Sequence, residues 1–148
     1  MKVSTFFTVQ EQKEIVLAIK EAELNTSGEI RVHIGNYCKE EPLEHAIKVF
    51  NSLEMYKTVQ RNGVLIYIAI KSKKFAIIGD EGINKLIPSD FWESTKKIMH
   101  DCFVHGEFAE GIVRAVIRVG EQLKQFFPYQ SDDINELPDD ISFENNNI

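Results

Sequence analysis

The apolar run at residues 64–70 constrains the fold of this chain more than any other feature of its sequence. The run is too short to cross a membrane, and its β-branched and aromatic residues are typical of a strand that is buried on both faces. A second apolar run at residues 74–78 follows after a short polar break. This spacing predicts a β-hairpin, in which the two strands are antiparallel.

A third strand is predicted at residues 29–34, where polar and apolar side chains alternate strictly. Its polar face, which we expect to be wet or functional, carries Glu29, Arg31 and His33. Pro42 is suited to the first position of a helix that connects this strand to residues 64–70. Such a crossover makes the two strands parallel and is right-handed. The sequence therefore predicts an α/β fold, a mixed sheet with helices on both of its faces.

Further helices are indicated on either side of these strands. Thr8 and Glu11 form a capping box that begins a helix ending before residue 25. Ser89 is a candidate N-cap for a third helix, and a fourth should extend from Glu107 to about residue 127. We expect one domain at residues 1–128 and an acidic tail at 129–148 that is disordered after Phe143. Whether the tail or the N-terminus adds a fourth strand stays open at this stage.

The charge of the chain argues against nucleic acid and anionic lipid as partners. Its net charge is −6, and residues 128–148 contain six acids and no Lys or Arg, so the remaining residues are formally neutral. Cys38 and Cys102 lack CxxC spacing and are expected to be free thiols. No signal-peptide core or membrane-spanning run is evident, and these features predict a cytoplasmic protein without membrane insertion.

The most specific chemical prediction concerns one edge of the sheet. The hairpin returns Asp80 and Glu81 to the level where residues 64–70 begin, and the parallel crossover brings Glu29 to the same level as Asn62. Clustered carboxylates repel one another unless a cation or a basic group lies between them, and oxygen ligands suit Ca²⁺ or Mg²⁺. We therefore predict that Ca²⁺ or Mg²⁺ binds to Glu29, Asn62, Asp80 and Glu81. The alternative is an ordinary solvated turn.

Catalytic motifs are missing from the sequence. It has no GxSxG, Walker, GxGxxG or HExxH pattern, so no catalytic residue is assigned. Arg31 and His33 could bind phosphate and transfer a proton, or they could belong to an exposed strand face. His100 and His105 do not share a helix face, which argues against a zinc site there, and Cys102 between them is expected in the core.

Five segments of the chain resemble the TPM-domain family and its stand-alone bacterial members. They are SGEI at 27–30, RNGVLIY at 61–67, IIGDEGI at 77–83, GEFAEGI at 106–112 and DDINELP at 132–138. The resemblance implies a three-layer α/β/α sandwich with a small, mostly parallel mixed sheet and a central hairpin. It also implies divalent-cation binding, with Glu29, Asp80 and Glu81 at the family's polar positions.

Two alternative functions accompany this prediction. The plant lumenal relative that takes part in photosystem II repair has reported acid phosphatase activity, so the resemblance allows a metal-dependent phosphatase, with His33 or a metal-bound water activating the nucleophile. The acidic tail could instead bind a protein partner. Neither alternative is carried by a recognised motif in the sequence.

Overall fold

The computed structural model describes residues 5–129 and 141–144. These residues form five α-helices and four strands, with a short 3₁₀ helix at Met55–Lys57 between the second helix and the second strand. The helices are α1 Val9–Glu23, α2 Pro42–Ser52, α3 Glu81–Asn84, α4 Ser89–Val104 and α5 Phe108–Phe126. The strands are β1 Glu29–Gly35, β2 Gly63–Ala69, β3 Lys74–Gly79 and β4 Ser142–Phe143.

The strands form one mixed sheet in the order β3-β2-β1-β4. β1 lies parallel to β2, with Glu29 opposite Gly63, and β2 lies antiparallel to β3, with Val64 opposite Gly79. These pairings confirm the predicted crossover and hairpin. β4 pairs parallel to β1, so the fourth strand comes from the C-terminal segment.

Helices cover both faces of the sheet, which confirms the predicted α/β sandwich. On one face, the apolar residues of β1 and β2 pack in a buried cluster with α1, α4 and α5. On the other face, α2 packs against Leu65, Tyr67 and Ala69 of β2. All seven residues of β2 are buried, as the continuous apolar run predicted, because each face of this strand has its own helical layer.

The polar face of β1 is largely buried, which excludes a wet face, one of the two predicted alternatives. Arg31 lies opposite Leu65 and His33 opposite Tyr67, so these residues share the side of the sheet that α2 covers. Glu29 and His33 are only 2% and 7% exposed. Strict alternation therefore marked a strand correctly, but it did not distinguish a solvated face from a buried polar one.

The predicted starts of α1 and α2 are confirmed, whereas the predicted N-cap of α4 is off by one residue. Thr8 and Glu11 form the predicted capping box at the start of α1, and Pro42 is the first residue of α2. The N-cap of α4 is Pro88 rather than Ser89, which is already helical. A short helix, α3, follows β3; it begins at Glu81 and is capped by the carboxylate of Asp80.

Most of the predictions for the acidic tail concern residues 130–140 and 145–148, which lie outside the described residues. The expected disorder after Phe143 and the partner-binding role of the tail therefore stay predictions. Within the described segments, no helix is long and apolar enough to cross a membrane.

Candidate functional site

Glu29, Asn62, Asp80 and Glu81, hereafter the acidic edge, lie where β1 and β2 begin and β3 ends. The backbone N–H of Glu29 donates to the carbonyl of Asn62 at 3.3 Å, and the N–H of Asp80 donates to the carbonyl of Gly63 at 2.9 Å. Backbone pairing thus brings three separate segments of the chain to one edge of the sheet.

Arg61 supplies the positive charge that clustered carboxylates require. Its Nε donates to Asp80 Oδ2 at 2.7 Å and its Nη2 to Asp80 Oδ1 at 2.9 Å, while Nη1 reaches Glu81 Oε1 at 3.1 Å. The hydrogen bonds to Asp80 raise the pKa of Arg61, so the guanidinium stays charged. Asp80 and Glu81 therefore already have a basic partner.

Asn62 and Glu29 place two further polar side chains deep in this edge, where they are 1% and 2% exposed. Asn62 Nδ2 donates to Ser27 Oγ at 3.3 Å, and its backbone N–H donates to Thr58 Oγ1 at 3.2 Å. The side-chain oxygen, Asn62 Oδ1, is buried and has no hydrogen-bond partner among the described residues. A buried amide oxygen with unused acceptor capacity is uncommon and is suited to a cation or a water molecule.

The glycines of the turn after β3 serve packing rather than cation binding. A Cβ at Gly82 would lie 2.2 Å from the carbonyl oxygen of Gln60 and 2.7 Å from that of Arg61, so only glycine lets α3 approach this backbone. The Asp80 carbonyl accepts hydrogen bonds within α3, and the Gly79 carbonyl accepts one from Asn84 Nδ2 at 2.8 Å. These two carbonyls are therefore engaged within the turn itself.

A second cluster of polar side chains, which the sequence analysis did not identify, lies beyond the other end of β1. Among the described residues, Cys38, Glu40 and His45 form the one group of three Cys, His, Asp or Glu side chains whose ligand atoms all lie within 4.8 Å of one another. We call it the thiol cluster. Its only sequence signal is the close spacing of the three residues before α2 and in its first turn.

Hydrogen bonds fix the thiol cluster in place. His45 Nδ1 lies 2.8 Å from Glu40 Oε1, and Cys38 Sγ donates to the Glu40 carbonyl at 3.2 Å. Lys48 Nζ donates to Glu40 Oε2 at 2.5 Å. Lys48, followed by His45, lowers the pKa of Glu40 to about 2, so this carboxylate is ionised at neutral pH.

Glu144, the residue that follows β4, lies beside the thiol cluster although it is 99 residues beyond His45 in the sequence. Glu144 Oε1 lies 2.6 Å from His45 Nε2. Burial opposes a charge on His45, but hydrogen bonds to Glu144 and Glu40 raise the pKa of its imidazole. His45 thus bridges two carboxylates.

His33 is not positioned to assist chemistry at the acidic edge. It lies four residues from Glu29 along one extended strand, a separation of about 13 Å. Its Nδ1 is 2.8 Å from Ser142 Oγ on β4, and its Nε2 is 3.7 Å from Glu144 Oε1. His33 therefore lies near the thiol cluster. It is too far from Glu29 to accept a proton directly from a water molecule on a metal bound there.

Comparisons with known proteins support the fold and the family. The TPM domain model matches residues 2–122. The NMR structure of the BA42 protein from the psychrophilic bacterium Bizionia argentinensis is 43% identical to this chain, with a TM-score of 0.89 over 97% of this chain and 99% of that one. No curated protein matches at a significant level.

Two more distant solution structures share the fold. The N-terminal domain of the cg2496 protein from Corynebacterium glutamicum is 11% identical, with a TM-score of 0.64 over 81% of this chain and 76% of that one. The N-terminal domain of a protein from P. gingivalis is 16% identical, with a TM-score of 0.61 over 80% and 77%. Because the family match covers most of the sequence and the first similarity spans nearly all of it, this chain belongs to the TPM domain family.

Proposed function

We propose that this protein binds a divalent cation, Ca²⁺ or Mg²⁺, at the acidic edge formed by Glu29, Asn62, Asp80 and Glu81. The observation that carries the proposal is the buried Asn62 Oδ1, which has no hydrogen-bond partner among the described residues. It lies at the start of β2, beside the strand that begins with the buried Glu29. Amide and carboxylate oxygens are the ligands that both cations prefer.

Cation binding at this edge must compete with Arg61. The Arg61 side chain is 39% exposed, whereas that of Asp80 is 6% exposed, so the guanidinium can turn into solvent while the carboxylate stays in place. A divalent cation would then replace the arginine as the positive partner of Asp80 and Glu81. Two carbonyls of the turn, those of Gly79 and Asp80, are engaged in hydrogen bonds, which favours a cation that retains several of its own water molecules.

The test is a thermal melt of the full-length, EDTA-treated protein with and without millimolar CaCl₂ or MgCl₂. A cation that binds only the folded state at about 100 times its Kd stabilises it by roughly 2.7 kcal/mol. For a chain of this size, that corresponds to an increase in Tm of roughly 5–10 °C. Asn62→Ala and Asp80→Ala should each remove most of this increase.

The matched control is Asp101→Asn, which removes an exposed carboxylate that pairs with Lys97 on α4, away from the acidic edge. This variant should keep the full increase. If neither cation moves the melting curve of the wild-type protein, and no amide near residues 29, 62 or 80 shifts in NMR spectra, the acidic edge is only a structural turn held by Arg61.

A further inference from the structure

The thiol cluster has the ligand set of a site for a borderline-soft metal ion. Its three residues offer a sulfur, a carboxylate oxygen and an imidazole nitrogen within 4.8 Å of one another. Zn²⁺ binds this combination, whereas Ca²⁺ and Mg²⁺ prefer oxygen ligands alone. The chemistry of this cluster therefore differs from that of the acidic edge, which lies at the opposite end of β1.

The surroundings of the cluster provide the partners that a metal-bound histidine requires. His45 Nδ1 faces Glu40, while its Nε2 lies 2.6 Å from Glu144 Oε1. A histidine that binds a metal through one ring nitrogen commonly donates its other N–H to a carboxylate, which fixes the orientation of the ring. Glu144 is placed to accept that hydrogen bond.

A buried hydroxyl lies beside the thiol cluster and provides a second observation. Tyr67 Oη has no hydrogen-bond partner among the described residues. The Tyr67 side chain is fully buried, and the ring centroids of Tyr67 and His45 are 4.8 Å apart. A buried group of this kind generally has a partner, commonly an ion or an ordered water molecule.

We propose that Cys38 Sγ, Glu40 Oε1 and His45 Nδ1 bind one Zn²⁺ ion, with Glu144 orienting His45 from behind. On binding, Cys38 loses its thiol proton and His45 loses the proton from Nδ1, so both protons pass to solvent. With three protein ligands, the fourth position of a tetrahedral zinc ion is open to water, as in catalytic zinc sites. The buried hydroxyl of Tyr67, whose ring packs against His45, is a candidate hydrogen-bond partner for that water.

The test uses Co²⁺ as a spectroscopic substitute for Zn²⁺, added to the full-length, metal-free protein under reducing conditions. A thiolate ligand gives an intense sulfur-to-cobalt charge-transfer band in the near ultraviolet, and Zn²⁺ should displace the cobalt and abolish the band. We expect one equivalent to bind. The band should be absent in Cys38→Ser and fully present in Cys102→Ser, which removes the other buried thiol.

Two further variants separate binding from folding. Glu40→Gln should weaken Zn²⁺ binding in calorimetry while the NMR spectrum stays folded. Glu144→Gln should keep the charge-transfer band but weaken binding by about 10–100-fold, as expected for a residue that orients a ligand. Millimolar Ca²⁺ should not displace Zn²⁺.

Three results would overturn the proposal. The first is a wild-type protein that binds neither Co²⁺ nor Zn²⁺ under these conditions. The second is a band that persists in Cys38→Ser or disappears in Cys102→Ser. The third is a Glu40→Gln variant that folds and binds Zn²⁺ as tightly as the wild type.

Discussion

Arg61 holds Asp80 through two parallel hydrogen bonds, from Nε to Oδ2 at 2.7 Å and from Nη2 to Oδ1 at 2.9 Å. This geometry matches the planar fork of a guanidinium to a carboxylate. Asp80 also accepts from the backbone N–H of Glu81 at 2.8 Å and so caps α3. One carboxylate therefore joins the start of β2, the end of β3 and a helix N-terminus.

Replacing Asp80 should separate its two structural roles. Asp80→Asn retains an N-cap side chain but loses the ion pair, whereas Asp80→Ala loses both. We expect Asp80→Ala to be less stable than Asp80→Asn by roughly 1 kcal/mol, the typical contribution of an N-cap. Urea denaturation in EDTA measures both free energies of unfolding. Equal values for the two variants would contradict a capping role.

Arg61→Gln tests whether arginine and a divalent cation compete for the acidic edge. Without metal, the variant should be less stable than the wild type, because buried Asp80 loses its charged partner. Its affinity for Ca²⁺ or Mg²⁺ should be higher, since no guanidinium has to be displaced. Calorimetric titration of both proteins gives the comparison, with Lys97→Gln as a control on α4. An unchanged or lower affinity in Arg61→Gln would argue against a cation at this position.

Gly82→Ala should destabilise the fold through a backbone clash. The added Cβ would lie 2.2 Å from the Gln60 carbonyl oxygen, so α3 or the loop before β2 must shift. Overpacking of this kind typically costs roughly 1–3 kcal/mol. Chemical denaturation measures the loss, and Lys85→Ala, an exposed change just after the same helix, should have little effect. If Gly82→Ala is as stable as the wild type, the backbone at Gln60 accommodates the added methyl group without a clash.

Gly35→Ala should displace Glu144 from the thiol cluster while preserving most of the stability. The added Cβ would lie 2.1 Å from Glu144 Oε2, the end of a flexible side chain that can rotate away. His45 would then lose its hydrogen bond from Nε2. We expect the imidazole NMR signals of His45 to shift and Zn²⁺ affinity to fall, with only a small change in unfolding midpoint. His45 signals that stay in place would show that Glu144 has kept its position.

Tyr67→Phe should not destabilise the metal-free protein. The hydroxyl of Tyr67 is buried without a hydrogen-bond partner in the described part of the chain, and an unsatisfied polar group of this kind typically costs about 1–3 kcal/mol. Removing it should leave the free energy of unfolding unchanged or raise it. A clear loss of stability in urea denaturation with EDTA would reveal a hydrogen bond to this hydroxyl.

The sequence by itself determined the sheet and the assembly of the acidic edge. The apolar run at residues 64–70 required cover on both faces, and the short break before β3 allowed only a hairpin. Once β1 and β2 were joined by a helical crossover, Glu29, Asn62 and Asp80 had to meet at one edge. These conclusions depend on periodicity and connection length, which are local properties that a sequence displays directly.

Only the tertiary structure decided which charges pair and which polar groups are buried. Arg61 could be placed near Asp80 from topology, but the two-hydrogen-bond geometry that neutralises Asp80 depends on side-chain positions in the folded chain. The alternation of β1 could not reveal that His33 is buried. The contact between His45 and Glu144 spans 99 residues and requires β4 to pair with β1, so no local pattern indicates it. The three residues of the thiol cluster are close in sequence, but only long-range packing places Glu144 beside them.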